Sequence, residues 1–345
     1  MDVGIIGAGN IARAYFAYLT QAGHHARMWS PRGGAVARLG VTQDMVVTGA
    51  IEGRLRPKFA PDIATLAQAE VIVLALPATG HRFVIDALLP HLRAGQSVIF
   101  SAHLSFAALT LGQKLAARGL TLPVICWNTT AMTCKSAAPT HIRIGGLRKA
   151  VDVCTLPSGD VAGALALCEA LFGLRFRDGG DLLDNALSNF NPQTHLAMAL
   201  CNLTRIETGE TWHQNSLMTP SVARLLTALD AERMAIARGF GREVRSQLAG
   251  VEDMATMFRA RVEAGTDPLG PTDSETRYIT EDVPFGLVPL ARLAAISGVS
   301  APLTQSGIDI LSACHGRDYA ALNDLMPDLG SPAFETLTML SPLRT

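Results

Sequence analysis

The sequence predicts an α/β protein in which an N-terminal Rossmann-type doubly wound sheet is followed by an all-α C-terminal domain. Three observations carry that expectation. Short apolar runs alternate with helical stretches through about residue 180. A GxGxxA loop lies between the first apolar run and the first helical stretch. Beyond about Gly180 the β-like alternation stops, and long segments of 3.6-residue period take over. A chain of 345 residues, at roughly 100–200 per domain, divides accordingly into a sheet domain over 1–180 and a helical domain over 181–345.

Taken in order, residues 3–6 form a buried strand, 11–22 a helix and 26–30 a second strand. Further strands are expected at 71–76, 97–101 and 122–127, with helices at 80–93 and 104–118 between them. The turn-rich segments 46–55 and 140–156 read as short hairpins, with Thr48-Gly49 and Gly145-Gly146 as their turn signals. In the second half, Asn191-Pro192 and Thr219-Pro220 each place a capping residue before a proline suited to the first helical position.

Composition removes several functional classes. Lys plus Arg number 29 against 30 acids, so no polyanion is expected as a partner and no nucleic acid among them. A mean hydropathy of +0.24 raises the question of a membrane span. The uncharged runs 94–113 and 185–204 are interrupted by Gln, Ser, His, Asn and Pro, and neither reads as one. The chain opens on Met1-Asp2-Val3-Gly4-Ile5-Ile6 without a basic region or long apolar region ahead of it, and a cytoplasmic address is expected. The 6 cysteines, at 126, 134, 154, 168, 201 and 314, show neither CxxC pairing nor metal-ligand spacing and are expected to be buried thiols. No metal site is expected.

The first chemistry lies in Gly7-Ala8-Gly9-Asn10-Ile11-Ala12, directly after the first strand. Gly7 permits a tight turn, Gly9 lets backbone amides approach a pyrophosphate, and the small Ala12 lets the helix pack close to the strand. The helix N-terminus adds N–H donors and a favourable dipole. At the end of the second strand, Met28-Trp29-Ser30-Pro31-Arg32 has no acid to hold both ribose hydroxyls. Ser30 and Arg32 suit a 2′-phosphate instead, although Arg32 pointing into solvent is the plainer alternative. NADP(H) is therefore the expected cofactor, with NAD(H) admitted. Leu76-Pro77 closes the fourth apolar strand, at the edge where open sheets bind ligands.

In the second half, a 100° step puts Asn191, His195, Ala199 and Asn202 on one face of an otherwise apolar helix. Alone, His195 reads as a structural histidine. Arg277-Tyr278-Ile279-Thr280-Glu281-Asp282-Val283-Pro284-Phe285-Gly286-Leu287 sets a cation and two acids at the mouth of another helix. By spacing alone, the acids are charges favoured by the helix dipole and Arg277 is a solvated neighbour.

Several motifs in order nevertheless resemble the octopine/nopaline (opine) dehydrogenase family. They are Gly7-Ala8-Gly9-Asn10, Asn189-Phe190-Asn191-Pro192 with His195, Ala228-Leu229-Asp230-Ala231-Glu232-Arg233 leading to Gly241, and Arg277-Tyr278 with Thr280-Glu281-Asp282 and Gly286-Leu287. The resemblance covers nearly the whole chain. It implies that His195 and Asp282 are a catalytic pair, that Arg277 binds the substrate carboxylate, and that Thr129 and Asn202 contact substrate. Leu196 stands where many relatives have proline, and Thr129 and Lys135 replace a glutamine and an arginine, so the amino-acid substrate is expected to differ from arginine. The implied reaction condenses an amino acid with a 2-oxo acid and reduces the imine with NAD(P)H. A homodimer is left open.

Two rivals remain at this stage. A reductase of a free 2-oxo or 3-hydroxy acid, of the 6-phosphogluconate/ketopantoate type, typically uses a lysine from its helical domain, and residues 151–345 contain none. A catalytically silent NADPH sensor would bind cofactor without turnover.

Overall fold

The computed structural model describes residues 1–33, 43–157, 160–173, 175–248 and 250–326. Two compact units emerge, one over Met1–Ala186 and the other, among the described residues, over 187–326.

The first unit runs β1 (Asp2–Ile6), α1 (Asn10–Gln21), β2 (His25–Trp29), β3 (Met45–Gly49), β4 (Gly53–Leu55), α2 (Ile63–Leu66) and β5 (Val71–Leu74). It continues through α3 (His81–Leu88), β6 (Ser97–Phe100), α4 (Ala107–Ala117), β7 (Val124–Trp127), β8 (Met132–Ala138), β9 (His141–Leu147) and β10 (Val151–Leu156). Next come α5 (Val161–Phe172), β11 (Phe176–Asp178) and the short α6 (Leu182–Leu187). The main sheet has the order β11-β10-β7-β6-β5-β1-β2. β2, β1, β5, β6 and β7 are parallel, and β10 joins antiparallel to β7. The chain order reverses on either side of β1, so the carboxyl ends of β1 and β5 flank the switch point where such sheets bind ligands. β5 and β7 are buried along their whole length, which is why they read as unbroken apolar runs.

A second sheet of order β4-β3-β9-β8 covers α1. Met45, Val47, Met132, Ile142 and Ile144 from this sheet share one buried cluster with Tyr15 and Phe16 from the helix. The expected hairpin over 46–55 forms as β3–β4, but its turn is not Thr48-Gly49. Those residues end β3, and Gly49 at φ +102° lets β3 close on β9, where a Cβ would come 2.1 Å from the Ile144 carbonyl oxygen. The expected hairpin over 140–156 does not form. β9 pairs with β8 while β10 belongs to the main sheet, and Gly145-Gly146 lies inside β9, beside a register shift opposite Thr133 and Cys134. In both places a glycine marks a close approach or a bulge within a strand rather than a turn.

The second unit contains α7 (Asn191–Cys201), α8 (Leu203–Glu207), α9 (Pro220–Gly239), α10 (Met254–Glu263), α11 (Arg277–Thr280), α12 (Val288–Ser297) and α13 (Pro302–His315). A π-helical turn over Val283–Leu287 joins α11 to α12. Leu196, Ile206, Trp212, Leu226, Leu229, Ile279, Leu287, Leu311 and Tyr319 belong to its core. Thr219 caps α9 as expected, accepting from the Val222 N–H. Asn191 does not cap α7. Phe190 occupies the cap position without a side-chain bond, Pro192 is in the first turn, and Asn189 Oδ1 accepts from the Asn191 N–H at 3.0 Å. The capping amide thus lies two residues earlier than expected. Among the described residues no helix is long and apolar enough to cross a membrane, and no cluster of His, Cys, Asp and Glu suits a metal ion. Cys126, Cys154 and Cys168 are buried, but Cys201 and Cys314 are exposed, contrary to the expectation of buried thiols throughout. Cys201 is the last residue of α7, and Cys314 lies in the last turn of α13.

Candidate active site

The glycine loop leaves β1 at the switch point. Gly7 has φ +131°, donates its N–H to the Trp29 carbonyl at 2.7 Å, and would put a Cβ 2.3 Å from the Ala75 carbonyl oxygen. Only glycine fits there. At Gly9 a Cβ would meet nothing within 4 Å, so the protein itself gives no steric reason for a glycine. Gly9 caps α1 without a side-chain bond, and no acid occupies the first turn. Uncapped N–H donors above an open glycine fit an anionic pyrophosphate. Ala8 is buried, and Ile11 packs on the core cluster.

Sequence reading missed Arg13. It is buried on α1, with its guanidinium at 2.6 Å from Asn10 Oδ1, 2.9 Å from the Pro139 carbonyl and 3.1 Å from Ser136 Oγ, while Nε reaches the Gly9 carbonyl at 3.4 Å. An arginine inside an apolar helix face, three residues after Asn10, was the available signal. Around the same sheet edge, the Ser30 carbonyl accepts from Gly33 at 3.2 Å in a turn that leaves Arg32 exposed. Leu76 and Pro77 follow β5, and the Leu76 carbonyl meets His81 Nε2 at 3.2 Å. Thr129, beyond the end of β7, is half-buried, with no hydrogen bond to a described residue, and Lys135 is exposed on β8. Two imidazoles are buried beneath this edge. Burial lowers His81 to about 4 and His103 to about 3, and the His103 Nε2 accepts from the Ala108 N–H at 3.2 Å.

In the helical unit, His195 Nδ1 lies 2.7 Å from Asp282 Oδ2, although 87 positions separate the two residues. The imidazole is 16% exposed and the carboxylate 2%. Bound to a carboxylate, Nδ1 carries a proton, which leaves Nε2 without a partner among the described residues. Close packing brings the two helices together. A Cβ on Gly286 would come 2.5 Å from Pro192 Cγ, so the glycine lets the π-turn after Asp282 lie against the first turn of α7. The wider turn has a local cause, because Pro284 has no N–H to donate to the Thr280 carbonyl. Its own carbonyl accepts from Asn323 Nδ2 at 2.7 Å.

Arg277 and Glu281 pair at 3.0 Å, with the guanidinium 52% exposed and the carboxylate buried. Partial burial works against the Arg277 charge, but Glu281 and Asp282 outweigh it and hold its pKa above the usual arginine value. Tyr278, also not anticipated, stacks on the His195 ring with centroids 3.6 Å apart and planes 9° from parallel. Its spacing of four from Asp282 on one helical segment was the signal that could have found it.

The Asp230–Arg233 motif supports this site without joining it. Both residues are buried, with Arg233 Nε and a terminal nitrogen 3.0 and 2.7 Å from Asp230 Oδ1. Arg233 also binds the Leu187 and Arg245 carbonyls and lies over the Phe190 ring, while Asp230 Oδ2 accepts from Ser246 and Gln247. Gln247 Nε2 in turn donates to the Phe190 carbonyl at 3.2 Å, which fixes the start of α7. Glu232 instead caps α13 through Leu303 and Thr304. Leu196 is buried against Gly307, where a Cβ would come 2.5 Å away. Asn202 lies one residue past α7. α7 ends at Cys201, and the Asn202 amide turns back to the Met198 carbonyl at 3.0 Å, buried and committed to its own helix.

Comparison with known proteins agrees with this architecture. Residues 179–315 match the model of the NAD/NADP octopine/nopaline dehydrogenase alpha-helical domain, and residues 2–102 match that of the coenzyme F420-dependent NADP oxidoreductases. The chain is 27% identical over 339 residues to the opine dehydrogenase of Arthrobacter sp. (strain 1C), covering 94% of each. Among solved structures, octopine dehydrogenase with NADH and pyruvate superimposes with a TM-score of 0.70 at 18% identity, covering 90% of this chain and 88% of that one. Yersinopine dehydrogenase with NADP+ gives 0.69 at 16%, covering 99% and 97%.

Proposed function

We propose that this chain, an NAD(P)-dependent oxidoreductase of the opine dehydrogenase family, condenses the amine of an amino acid with a 2-oxo acid and reduces the imine to an N-(carboxyalkyl) amino acid, with the reverse oxidation also open to it. The observation that carries this reading is the direct His195–Asp282 pair, with Arg277 on the helical segment that leads to Asp282.

Gly7, Ala8, Gly9, Asn10 and Ile11 would hold the dinucleotide pyrophosphate at the start of α1, with Leu76 and Pro77 bordering the site. A bound nicotinamide supplies the hydride. Ser30 and Arg32, with no acid at the end of β2, favour NADPH over NADH. His195 Nε2 exchanges protons with the oxo-acid oxygen as it leaves as water and with the nitrogen that becomes the secondary amine. Asp282 holds Nδ1–H, fixing the tautomer and the ring direction. Arg277 grips the oxo-acid carboxylate with the part of its guanidinium not committed to Glu281. Thr129, whose hydroxyl has no hydrogen bond to a described residue, contacts the amino-acid substrate.

The test is a matrix of amino acids against pyruvate, glyoxylate and 2-oxoglutarate, run with NADPH and NADH and followed by loss of nicotinamide absorbance. Turnover requiring both amine and oxo acid is expected. Oxidation with the oxo acid alone would favour the free-acid reductase, and none with any pair would favour a sensor. Equal or higher kcat/KM with NADH would reject the NADPH preference.

A further inference from the structure

We infer that Tyr278 is a positioning residue for His195, its ring fixing the plane in which the imidazole presents Nε2. This role rests on the reading of His195 as the proton-exchanging group.

Asp282 alone constrains the ring only in part. One hydrogen bond, Nδ1 to Asp282 Oδ2 at 2.7 Å, fixes a line, and the ring can still rock about it. Rocking swings Nε2 on the far side of the ring out of line with a substrate atom, and proton transfer is sensitive to such misplacement. The phenol ring lies parallel to the imidazole within 9°, at 3.6 Å between centroids, and bars that motion on one face. A line and a plane together define where Nε2 sits.

One short stretch of helix supplies both constraints. Tyr278 and Asp282 are four residues apart and so share a face, the phenol covering the ring and the carboxylate its edge. Arg277 and Glu281 repeat the spacing one residue earlier and pair with each other.

Tyr278 is itself held from outside the pair. Its hydroxyl donates to Gln214 Oε1 at 2.9 Å. Gln214 is fixed in turn by its Nε2 to the Leu269 carbonyl at 2.8 Å and by its backbone N–H to the Pro268 carbonyl at 2.9 Å. The phenolic proton is therefore committed, and the residue acts through its ring and not as an acid. Burial also pushes the phenol above its ordinary pKa.

The experiment uses the full chain with histidine-selective isotope labelling, the His195 ring signals being assigned by their loss in His195→Gln. In the wild type the stacked phenol should shift the His195 ring protons upfield. Tyr278→Leu should abolish that shift and lower kcat about 2- to 10-fold, the equivalent of one aromatic pair, with both substrate KM values within about 2-fold. Tyr278→Phe keeps the plane and should retain the shift and most of kcat. Gln214→Ala, remote from the imidazole, should give an intermediate shift and an intermediate kcat, and stands in should Tyr278→Leu fail to fold. The inference is overturned if the ring shift disappears while kcat stays at the wild-type level. It is equally overturned if Tyr278→Phe is as impaired as Tyr278→Leu, since the hydroxyl would then be the active part. A wild type with the ring shift but no turnover on any amine and oxo-acid pair would place the failure in the functional reading, and the positioning role would fall with it.

Discussion

The two units build their sites from opposite materials. In the sheet unit the proposed ligand-facing surface is backbone: Gly7 in a left-handed turn, Gly9 open to solvent, and the uncapped first turn of α1. Side chains such as Arg13 serve to hold that backbone in place. In the helical unit the backbone is folded into helices, and the chemistry comes from side chains that packing collects, His195 from α7 and Asp282 from a segment 87 positions away. A backbone site must be contiguous in the chain, whereas a side-chain site need only be contiguous in space. The first should therefore fail through single glycines and the second through either member of a pair.

The largest effect expected is on the pair. His195→Ala and Asp282→Ala should each lower kcat by about 10²–10⁴ while leaving cofactor affinity intact, the usual size of a lost acid–base contribution. The double variant should lose little beyond the worse single one, because the two residues act as a unit. Losses that multiply would break the comparison, making the helical site two independent groups rather than one assembled device.

This contrast also explains what could be read from the chain alone. The glycine loop was legible because tight turn, close approach and helix start follow one another within residues 7–12. The buried strands were legible because burial on both faces leaves an unbroken apolar run, as in β5. By spacing, His195 and Asp282 were only a structural histidine and a dipole-favoured acid; the family resemblance paired them, and nothing local forecasts that Gly286 against Pro192 draws their helices together. A helical step from His195 reaches Asn202, but α7 ends one residue before it, an end that no residue type there announces. Gly145-Gly146 reads as a turn because a glycine pair looks the same in sequence whether it bends the chain or admits a bulge.

Gly7 and Gly9 sharpen the comparison within the sheet unit. Gly7→Ala meets both a forbidden φ and the Ala75 carbonyl, and should cost at least about 1–3 kcal/mol of folding stability. Gly9→Ala meets no protein atom and should leave stability within about 0.5 kcal/mol, yet weaken dinucleotide binding about 10-fold or more. Thermal melts and cofactor titration separate the two. A Gly9→Ala protein that binds dinucleotide normally would mean that no ligand approaches this backbone.

Acid should test the sheet unit separately. Burial holds His81 at about 4 and His103 at about 3, both below the unfolded value of 6.5, so the unfolded chain takes up protons that the folded one refuses. The stabilisation from neutral imidazoles is complete above pH 6.5, declines as pH falls from there towards the folded values, and is gone below them. Between pH 6.5 and 5 each imidazole should cost about 1.4 kcal/mol per pH unit. Amide exchange in β5 and β6 reads the change locally. Protection there that does not vary between pH 7 and 5 would show that these rings are not held neutral by the fold.

The smallest effect expected is at Arg277, where the helical unit is asked to bind rather than react. Its Nε side faces Glu281 at 3.0 Å, and the remaining nitrogens of a half-exposed guanidinium are available for a carboxylate. Lysine offers one nitrogen at the end of a flexible stem, and if that nitrogen keeps the Glu281 contact it cannot also make a bidentate grip. Arg277→Lys should therefore raise the oxo-acid KM about 5-fold, the equivalent of one hydrogen bond of about 1 kcal/mol, while the cofactor KM stays constant because the glycine loop is untouched. If the cofactor KM rose instead, the division of labour between backbone and side-chain sites would fail. An oxo-acid KM that did not change would leave Arg277 as the partner of Glu281 alone.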